Sequence, residues 1–111
     1  MIDQIRPADV ADWFAQNPRA TPVVLDVREP WELQTASIQP KGFTLATIPM
    51  NEIPARISEL NADQRIACLC HHGARSLRVA AFLVQNGFTE VANIAGGIDA
   101  WAGHDPSIPR Y

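Results

Sequence analysis

Two runs of nearly continuous apolar residues constrain the fold of this chain more than any other feature. The first spans residues 22–27 and carries the carboxylate of Asp26 close to its end, and the second is Arg65–Leu69. Strands that are covered on both faces read as continuous apolar runs, whereas strands with one solvated face alternate. The two runs therefore predict two buried strands of a parallel sheet.

Helical and extended segments alternate along the rest of the chain. Further strands are predicted at residues 2–5, 42–48 and 90–94, and helices at residues 7–16, 28–33, 51–60, 76–86 and 96–101. This alternation is typical of an α/β three-layer domain with a mostly parallel central sheet of about five strands and helices on both faces. Sites in such sheets lie beyond the carboxyl ends of the strands, where Asp26 and Cys70 are both predicted to lie.

Length and composition narrow the class of protein. A chain of 111 residues fits a single domain over residues 1–111, with its core at about residues 5–102 and an irregular tail at 103–111. The net charge of −3, with Lys41 as the one lysine, argues against a nucleic-acid partner. No apolar stretch approaches the roughly 20 residues of a membrane span. Without a visible signal peptide or a disulfide framework, a reducing, cytoplasmic setting is expected.

The segment after the second apolar run carries the chemistry of this chain. Residues 70–75 form a loop between a strand and an apolar helix, so backbone N–H groups and the positive end of the helix surround the thiol of Cys70. The guanidinium of Arg75 adds positive charge, Gly73 lets the loop bend inward, and Ala74 is small enough for close approach. Ser76 can cap the helix or donate to a bound anion. Such surroundings favour a thiolate and hold a small oxyanion or a sulfane sulfur.

Other interpretations of this segment are weaker. Cys70 could be a buried core cysteine, but its place beside a loop closed by arginine favours a functional thiol. His71 and His72 are expected to contact substrate rather than to act as acid or base. A zinc site made of Cys68, Cys70 and these histidines lacks a second pair of ligands, since the remaining histidine, His104, lies in the tail, and no metal is predicted. Cys68 is expected in the core, with a resolving thiol as the minor alternative.

Charged residues at the end of the first buried strand complete the candidate site. Asp26 and Arg28 could line it, or they could form a structural ion pair that ties the loop to the sheet, and the sequence favours neither role. Arg28 and Glu32 stand one helical turn apart, a spacing at which opposite charges can pair. No Lys-Ser/Thr follows the Gly96-Gly97 pair, so we predict tight packing of the final helix there rather than a phosphate site, and no cofactor.

Three segments, in this order, resemble the signatures of the rhodanese family. They are Leu25-Asp26-Val27-Arg28-Glu29-Pro30-Trp31-Glu32, Cys70-His71-His72-Gly73-Ala74-Arg75-Ser76 and Gly96-Gly97-Ile98-Asp99-Ala100-Trp101. From residue 5 to residue 101 the chain resembles a single-domain rhodanese, a sulfurtransferase homology domain.

The resemblance implies a sulfurtransferase. Cys70 would accept the sulfane sulfur of thiosulfate or of a persulfide donor, residues 71–76 would bind it, and cyanide, a thiol or a carrier protein would take the sulfur from the Cys70 persulfide. Many members with thiosulfate activity carry a cation directly after the cysteine. Here that residue is His71, so a persulfide is the favoured natural donor. The protein would act as a monomer or a homodimer.

Two alternatives stand beside this interpretation. Four residues separate Cys70 from Arg75, whereas phosphatases with this fold have a loop that is one residue longer. A phosphatase or an arsenate reductase is therefore the less favoured alternative. The other alternative is a regulatory or interaction module that relays no sulfur, against which the presence of Cys70 argues.

Overall fold

A computed structural model describes residues 2–111 and has a five-stranded sheet at its centre. The strands are β1 (Ile2–Ile5), β2 (Pro22–Asp26), β3 (Thr44–Thr47), β4 (Arg65–Leu69) and β5 (Val91–Ile94). Their spatial order is β1-β5-β4-β2-β3, and every pairing among the described residues is parallel. The predicted α/β fold is confirmed, and the sheet is wholly rather than mostly parallel.

Helices lie in the connections between the strands and after the last one. They are α1 (Val10–Ala15), α2 (Pro30–Thr35), α3 (Ile53–Arg56), α4 (Ala74–Gln85) and α5 (Gly97–His104), with 3₁₀ turns at Pro7–Asp9, Met50–Glu52 and Ile57–Glu59. The region predicted as one helix over 51–60 is divided, because Arg56 leaves the helical conformation (φ −115°, ψ 12°). Within residues 2–111, none of these helices combines the length and the apolar character needed to cross a membrane.

Alternating side chains of the central strands separate two apolar cores. On β4, Ala67 and Leu69 belong to a cluster with residues of α1 and α5, whereas Ile66 and Cys68 belong to a cluster with residues of α3 and α4. All five residues of β4 are buried, as its continuous apolar run predicts. The helices therefore cover both faces of the sheet and form the predicted three layers.

The helix after β2 begins later than the sequence pattern predicts. It starts at Pro30 rather than at Arg28, because proline suits the first helical position and Glu29 and Glu32 form a reciprocal capping box. Arg28 therefore lies in the turn between β2 and α2, where its side chain can reach back to the sheet.

The helix after β4 begins earlier than predicted, and the last helix ends later. α4 starts at Ala74, directly after Gly73, whose left-handed backbone (φ 103°) turns the loop into the helix. α5 continues past Trp101 to His104. The Cys70 loop is thus shorter than the predicted helix boundary suggests, which brings Arg75 and Ser76 into the first turn of α4.

The carboxyl ends of β2 and β4 lie side by side at one edge of the sheet. Asp26 is in register with Leu69, and the N–H of Val27 donates to the carbonyl of Leu69 at 2.9 Å. Cys70 follows Leu69 directly. The two strand ends therefore bring Asp26 and Cys70 to the same edge, as predicted.

Candidate active site

Cys70 lies at the junction of β4 and α4, with 1% of its surface exposed. The N–H of Gly73 donates to its Sγ at 3.1 Å, and the hydroxyl oxygen of Ser76 lies 3.2 Å from the same sulfur. Because α4 begins at Ala74 and runs for 12 residues, the thiol lies at the positive end of a helix macrodipole. The N–H of Gly73 and the helix macrodipole both stabilise negative charge on Sγ or on a group bound to it.

A buried asparagine on β5 determines the direction of the Ser76 proton. The side-chain NH₂ of Asn93 donates to the carbonyl of Gly73 at 3.1 Å and to Oε1 of Gln4 at 3.0 Å, so its Oδ1 faces Ser76 at 2.6 Å. A hydroxyl has one proton. Ser76 therefore donates to Asn93 and presents a lone pair to Sγ, which suits a protonated thiol, whereas a sulfur anion requires that the hydroxyl turn towards it. No sequence motif marks Asn93.

The first turn of α5 packs against the backbone of the Cys70 loop. The N–H groups of Ile98 and Asp99 donate to the carbonyls of Cys70 (2.9 Å) and His71 (3.1 Å). Gly97 has φ +60°, and a Cβ at this position would collide with the same two carbonyl oxygens. The tight packing predicted for the glycine pair is confirmed, and it holds the loop against the end of the sheet.

Arg75 binds a buried carboxylate of α2. Its Nη1 and Nη2 donate to Oε1 and Oε2 of Glu32 at 2.6 and 2.8 Å, which is the bidentate geometry of a strong pair. This pair lowers the pKa of the Glu32 carboxyl to about 2, against the opposing effect of burial. The guanidinium keeps three further N–H groups for a ligand. Arg28 does not pair with this carboxylate, although the two stand one helical turn apart in the sequence, because it precedes the helix and reaches only the backbone carbonyl of Glu32, at 3.3 Å.

Asp26 and Arg28 form a buried ion pair at the end of β2. Nη2 and Nε of Arg28 donate to Oδ2 and Oδ1 of Asp26 at 2.8 and 2.9 Å, and the side chains are 0% and 1% exposed. Burial by itself would lower the pKa of Arg28, but the hydrogen bonds with Asp26 and Tyr111 outweigh it and raise the pKa. These contacts support the structural one of the two predicted roles.

Tyr111 connects the two ion pairs with the Cys70 loop. Its hydroxyl donates to Oε2 of Glu32 at 2.7 Å and accepts from Nη1 of Arg28 at 3.0 Å. Its ring is stacked on the imidazole of His71, with 3.9 Å between centroids and 7° between planes. Partial burial raises the pKa of Tyr111, while Arg28 opposes and Glu32 supports that rise. Tyr111 falls in the predicted irregular tail, and no motif marks it as a site residue.

His71, His72 and Asp99 form a group with the composition of a metal site. One possible ligand atom of each lies within 4.8 Å of the others. The two imidazoles are stacked, with centroids 3.8 Å apart and planes 25° apart. The Asp99 carboxylate also accepts from Arg110 at 3.2 Å. Nε2 of His71 and the Asp99 carboxylate thus already have protein partners, and substrate contact by the histidines stays a prediction.

Cys68 belongs to the core beneath the loop. It is fully buried on β4, and burial, with the nearby Cys70, raises the pKa of its thiol. A buried, protonated thiol is a poor nucleophile. The predicted core role of Cys68 is confirmed, and its geometry gives no support to a resolving thiol.

A cavity of about 530 Å³ lies apart from this site. Its walls include Phe14, Phe43 and Trp101, and it shares no residue with the loop 70–76. The candidate chemistry therefore belongs to the Cys70 loop itself and not to this cavity.

The profile of the Rhodanese-like domain family matches residues 10–104. This chain belongs to the rhodanese-like domain family. The three segments that resemble rhodanese signatures meet at one place in the fold: residues 25–32 end β2 and begin α2, residues 70–76 form the Cys70 loop, and residues 96–101 open α5 against that loop.

Relatives of this rhodanese-like chain carry names from sulfur chemistry. A sulfurtransferase of Allochromatium vinosum is 40% identical over 82 residues, which cover 74% of this chain and 73% of that protein. A putative sulfur carrier protein of Bacillus subtilis is 36% identical over 80 residues, or 72% of this chain and 41% of that protein. The crystal structure of a rhodanese-related protein of Thermoplasma volcanium has a TM-score of 0.73 at 34% identity, with 93% of both chains covered. Together they support a sulfurtransferase-type function.

Proposed function

We propose that this rhodanese-like protein is a sulfurtransferase that carries a sulfane sulfur as a persulfide on Cys70. The observation that carries the proposal is the position of Sγ at the N-terminus of α4, 3.1 Å from the N–H of Gly73. A sulfur anion at this position gains from the helix macrodipole and from hydrogen-bond donors of the loop.

Sulfur transfer would proceed in two displacement steps. In the first, the Cys70 thiolate attacks the outer sulfur of thiosulfate or of a persulfide, the S–S bond of the donor breaks, and its electron pair leaves with sulfite or with the donor thiolate. In the second, cyanide, a thiol or a carrier protein attacks the outer sulfur of the Cys70 persulfide, and Cys70 leaves as the thiolate. One covalent intermediate connects the steps, and neither step consumes an oxidant or a reductant.

Each residue of the loop has a part in this proposal. The N–H of Gly73 donates to the sulfur anion, and the hydroxyl of Ser76 does so once it has turned away from Asn93. Arg75 supplies positive charge, and the small side chain of Ala74 keeps open the cup that residues 70–75 form around the sulfur. His71 and His72 contact the donor. The burial of Cys70 shields the persulfide from water.

The natural donor in this proposal is a persulfide. His71 carries an imidazole rather than the permanent charge of an arginine, so the loop 70–75 has less positive charge for the thiosulfate dianion than one with a permanent cation. In this proposal the protein acts in a reducing cytoplasm, where Cys68 and Cys70 remain free thiols. A small thiol or a carrier protein accepts the sulfur.

The intact mass of the protein tests this function directly. The protein is incubated without reductant with thiosulfate, or with a low-molecular-weight persulfide, and then with cyanide. We expect the wild type to gain one sulfur atom and to lose it to cyanide. Cys70→Ser should gain none. Cys68→Ala, which removes the neighbouring buried thiol, is the matched control and should still gain one sulfur.

Other outcomes of this experiment, and one separate assay, identify the alternatives. Uptake of sulfur by Cys70→Ser would overturn the assignment of the sulfur to Cys70. A wild-type protein that gains no sulfur from either donor would favour an interaction module. Hydrolysis of a small aryl phosphate, lost in Cys70→Ser, would favour a phosphatase.

A further inference from the structure

Tyr111 lies outside the region that matches the rhodanese-like family, which ends at residue 104. It nevertheless bonds or stacks with Arg28, Glu32 and His71, all in the segments that form the site. A residue from outside the matched region thus contacts three residues within it.

The hydroxyl of Tyr111 completes the hydrogen bonding of the Glu32 carboxylate. Oε2 accepts from Tyr111 at 2.7 Å and from Nη2 of Arg75 at 2.8 Å. Oε1 accepts from Nη1 of Arg75 at 2.6 Å and from the N–H of Glu29 at 3.1 Å. A carboxylate offers about four acceptor positions, and four donors occupy them here. Without the hydroxyl, Arg75 is the one donor left on Oε2, and the Glu32–Arg75 pair loses one of the four hydrogen bonds that fix the carboxylate.

The ring and backbone of Tyr111 hold the imidazole of His71. The His71 ring is stacked between Tyr111 on one face and His72 on the other, with centroid distances of 3.9 and 3.8 Å. The backbone oxygen of Tyr111 lies 2.8 Å from Nε2 of His71. Because a backbone oxygen only accepts, Nε2 carries the proton, and Nδ1 is left for another partner.

We propose that Tyr111 is a positioning residue for sulfur-donor binding at Cys70, with its hydroxyl orienting Arg75 through Glu32 and its ring orienting His71. The proposal rests on the sulfur-transfer function proposed for Cys70. Tyr111 acts through residues of the cup rather than on the reacting sulfur, so its loss affects donor affinity more than the displacement step.

Steady-state kinetics with thiosulfate and cyanide test this role in three variants. Tyr111→Phe keeps the stacked ring and should raise KM for thiosulfate roughly three- to tenfold, the effect of losing the hydrogen bond to Glu32, with kcat changed less than about twofold. Tyr111→Ala also removes the stack and should raise KM further. Ser107→Ala is the matched control, since its hydroxyl bonds Asp105 in the same segment, and should behave as the wild type.

Alkylation of Cys70 provides a readout that does not depend on sulfur transfer. The rate with anionic iodoacetate is divided by the rate with neutral iodoacetamide, so that the burial of the thiol cancels and the ratio reports the positive charge of the cup. We expect the ratio to fall in Tyr111→Phe, because Arg75 is less well held, and to stay unchanged in Ser107→Ala. Urea unfolding of each variant confirms that it is folded.

The two readouts separate the two proposals. A wild type that transfers sulfur, with an unchanged KM in both Tyr111 variants, would overturn the positioning role and leave the function standing. A wild type that accepts no sulfur would overturn the function and, with it, a role in donor binding. The alkylation ratio then tests only whether Tyr111 orients Arg75: a lower ratio in Tyr111→Phe supports this, and an unchanged ratio overturns it.

Discussion

Glu32 is the residue on which the charges of the site converge. Its carboxylate accepts from Arg75, from the hydroxyl of Tyr111 and from the N–H of Glu29, although only 2% of the residue is exposed. Hydrogen bonds to the charged form favour ionisation more than burial opposes it. As a result its pKa falls from 4.5 to about 2, and the stability of the fold depends on its charge.

We expect the wild-type protein to lose stability as the pH falls from about 4.5 to about 2. Because the pKa of Glu32 in the folded state lies below that of the unfolded chain, its stabilisation is complete above the unfolded value and disappears as the pH falls through the folded one. The contribution is at most about 3 kcal/mol. It is measured as the free energy of unfolding in urea at about pH 5 and about pH 3.

A pair of variants isolates this carboxylate. Glu32→Gln does not titrate and should lose less stability over this pH interval than the wild type. Glu59→Gln, at an exposed carboxylate that pairs with Arg56, should follow the wild type. Equal losses in the wild type and in Glu32→Gln would contradict the linkage to Glu32.

At the scale of elements, two helix N-termini meet at the Cys70 loop. α4 continues from the loop, and α5 donates its first N–H groups to the carbonyls of Cys70 and His71. This contact requires Gly97, which has both a left-handed backbone and no space for a Cβ. The position of the Cys70 thiol therefore depends on a helix that begins at Gly97, 27 residues further along the chain.

Replacement of Gly97 by alanine should destabilise the fold and slow sulfur transfer. Gly42→Ala is the matched control, because Gly42 has a similar φ of +75° but open space around the Cβ position. We expect the control to lose about 1 kcal/mol from backbone strain, and Gly97→Ala to lose more because its Cβ displaces the loop. Unfolding free energies and cyanide-dependent transfer rates measure the two effects. Equal costs would mean that the loop accommodates the methyl group.

At the scale of the molecule, the two edges of the parallel sheet have different properties. The carboxyl edge holds the Cys70 loop and the ion pairs around it. The amino edge is held by Arg65 at the start of β4, which donates to the carbonyl of Trp13 and to Glu90, both at 2.8 Å, and lies over the Trp13 ring at 4.0 Å. Arg65 thus fastens α1 and β5 to the central strand, far from the thiol along the sheet.

Removal of Arg65 should lower stability without altering the chemistry. Arg65→Ala leaves the partly buried Glu90 without its cation, and we expect a loss of about 2–4 kcal/mol in unfolding free energy. KM and kcat per folded molecule should match those of the wild type. Arg56→Ala, which removes an exposed arginine with two carboxylate partners, should leave stability nearly unchanged. A change in KM in Arg65→Ala would show that the two edges are coupled.

Much of the fold and the centre of the site could be predicted because they depend on local properties of the chain. Continuous apolar runs identify β2 and β4 as buried strands, and their alternation with helical segments implies a parallel sheet. Gly73 marks the bend that places Cys70 beneath a helix N-terminus, and the glycine pair before α5 marks close packing. Each of these features is contained in a short stretch of residues.

The partners of the charged and polar side chains were decided by the tertiary structure. Arg75 binds Glu32 across 43 positions, Ser76 binds Asn93 across 17, and Tyr111 binds Glu32 across 79. The spacing of Arg28 and Glu32 suggested a local pair, but the start of α2 at Pro30 separates them. By itself, the sequence determined the layers, the position of the Cys70 loop and the family. Which groups surround the thiol depended on strand order and on the path of the segment after α5, because no periodicity encodes contacts between side chains so far apart in the chain.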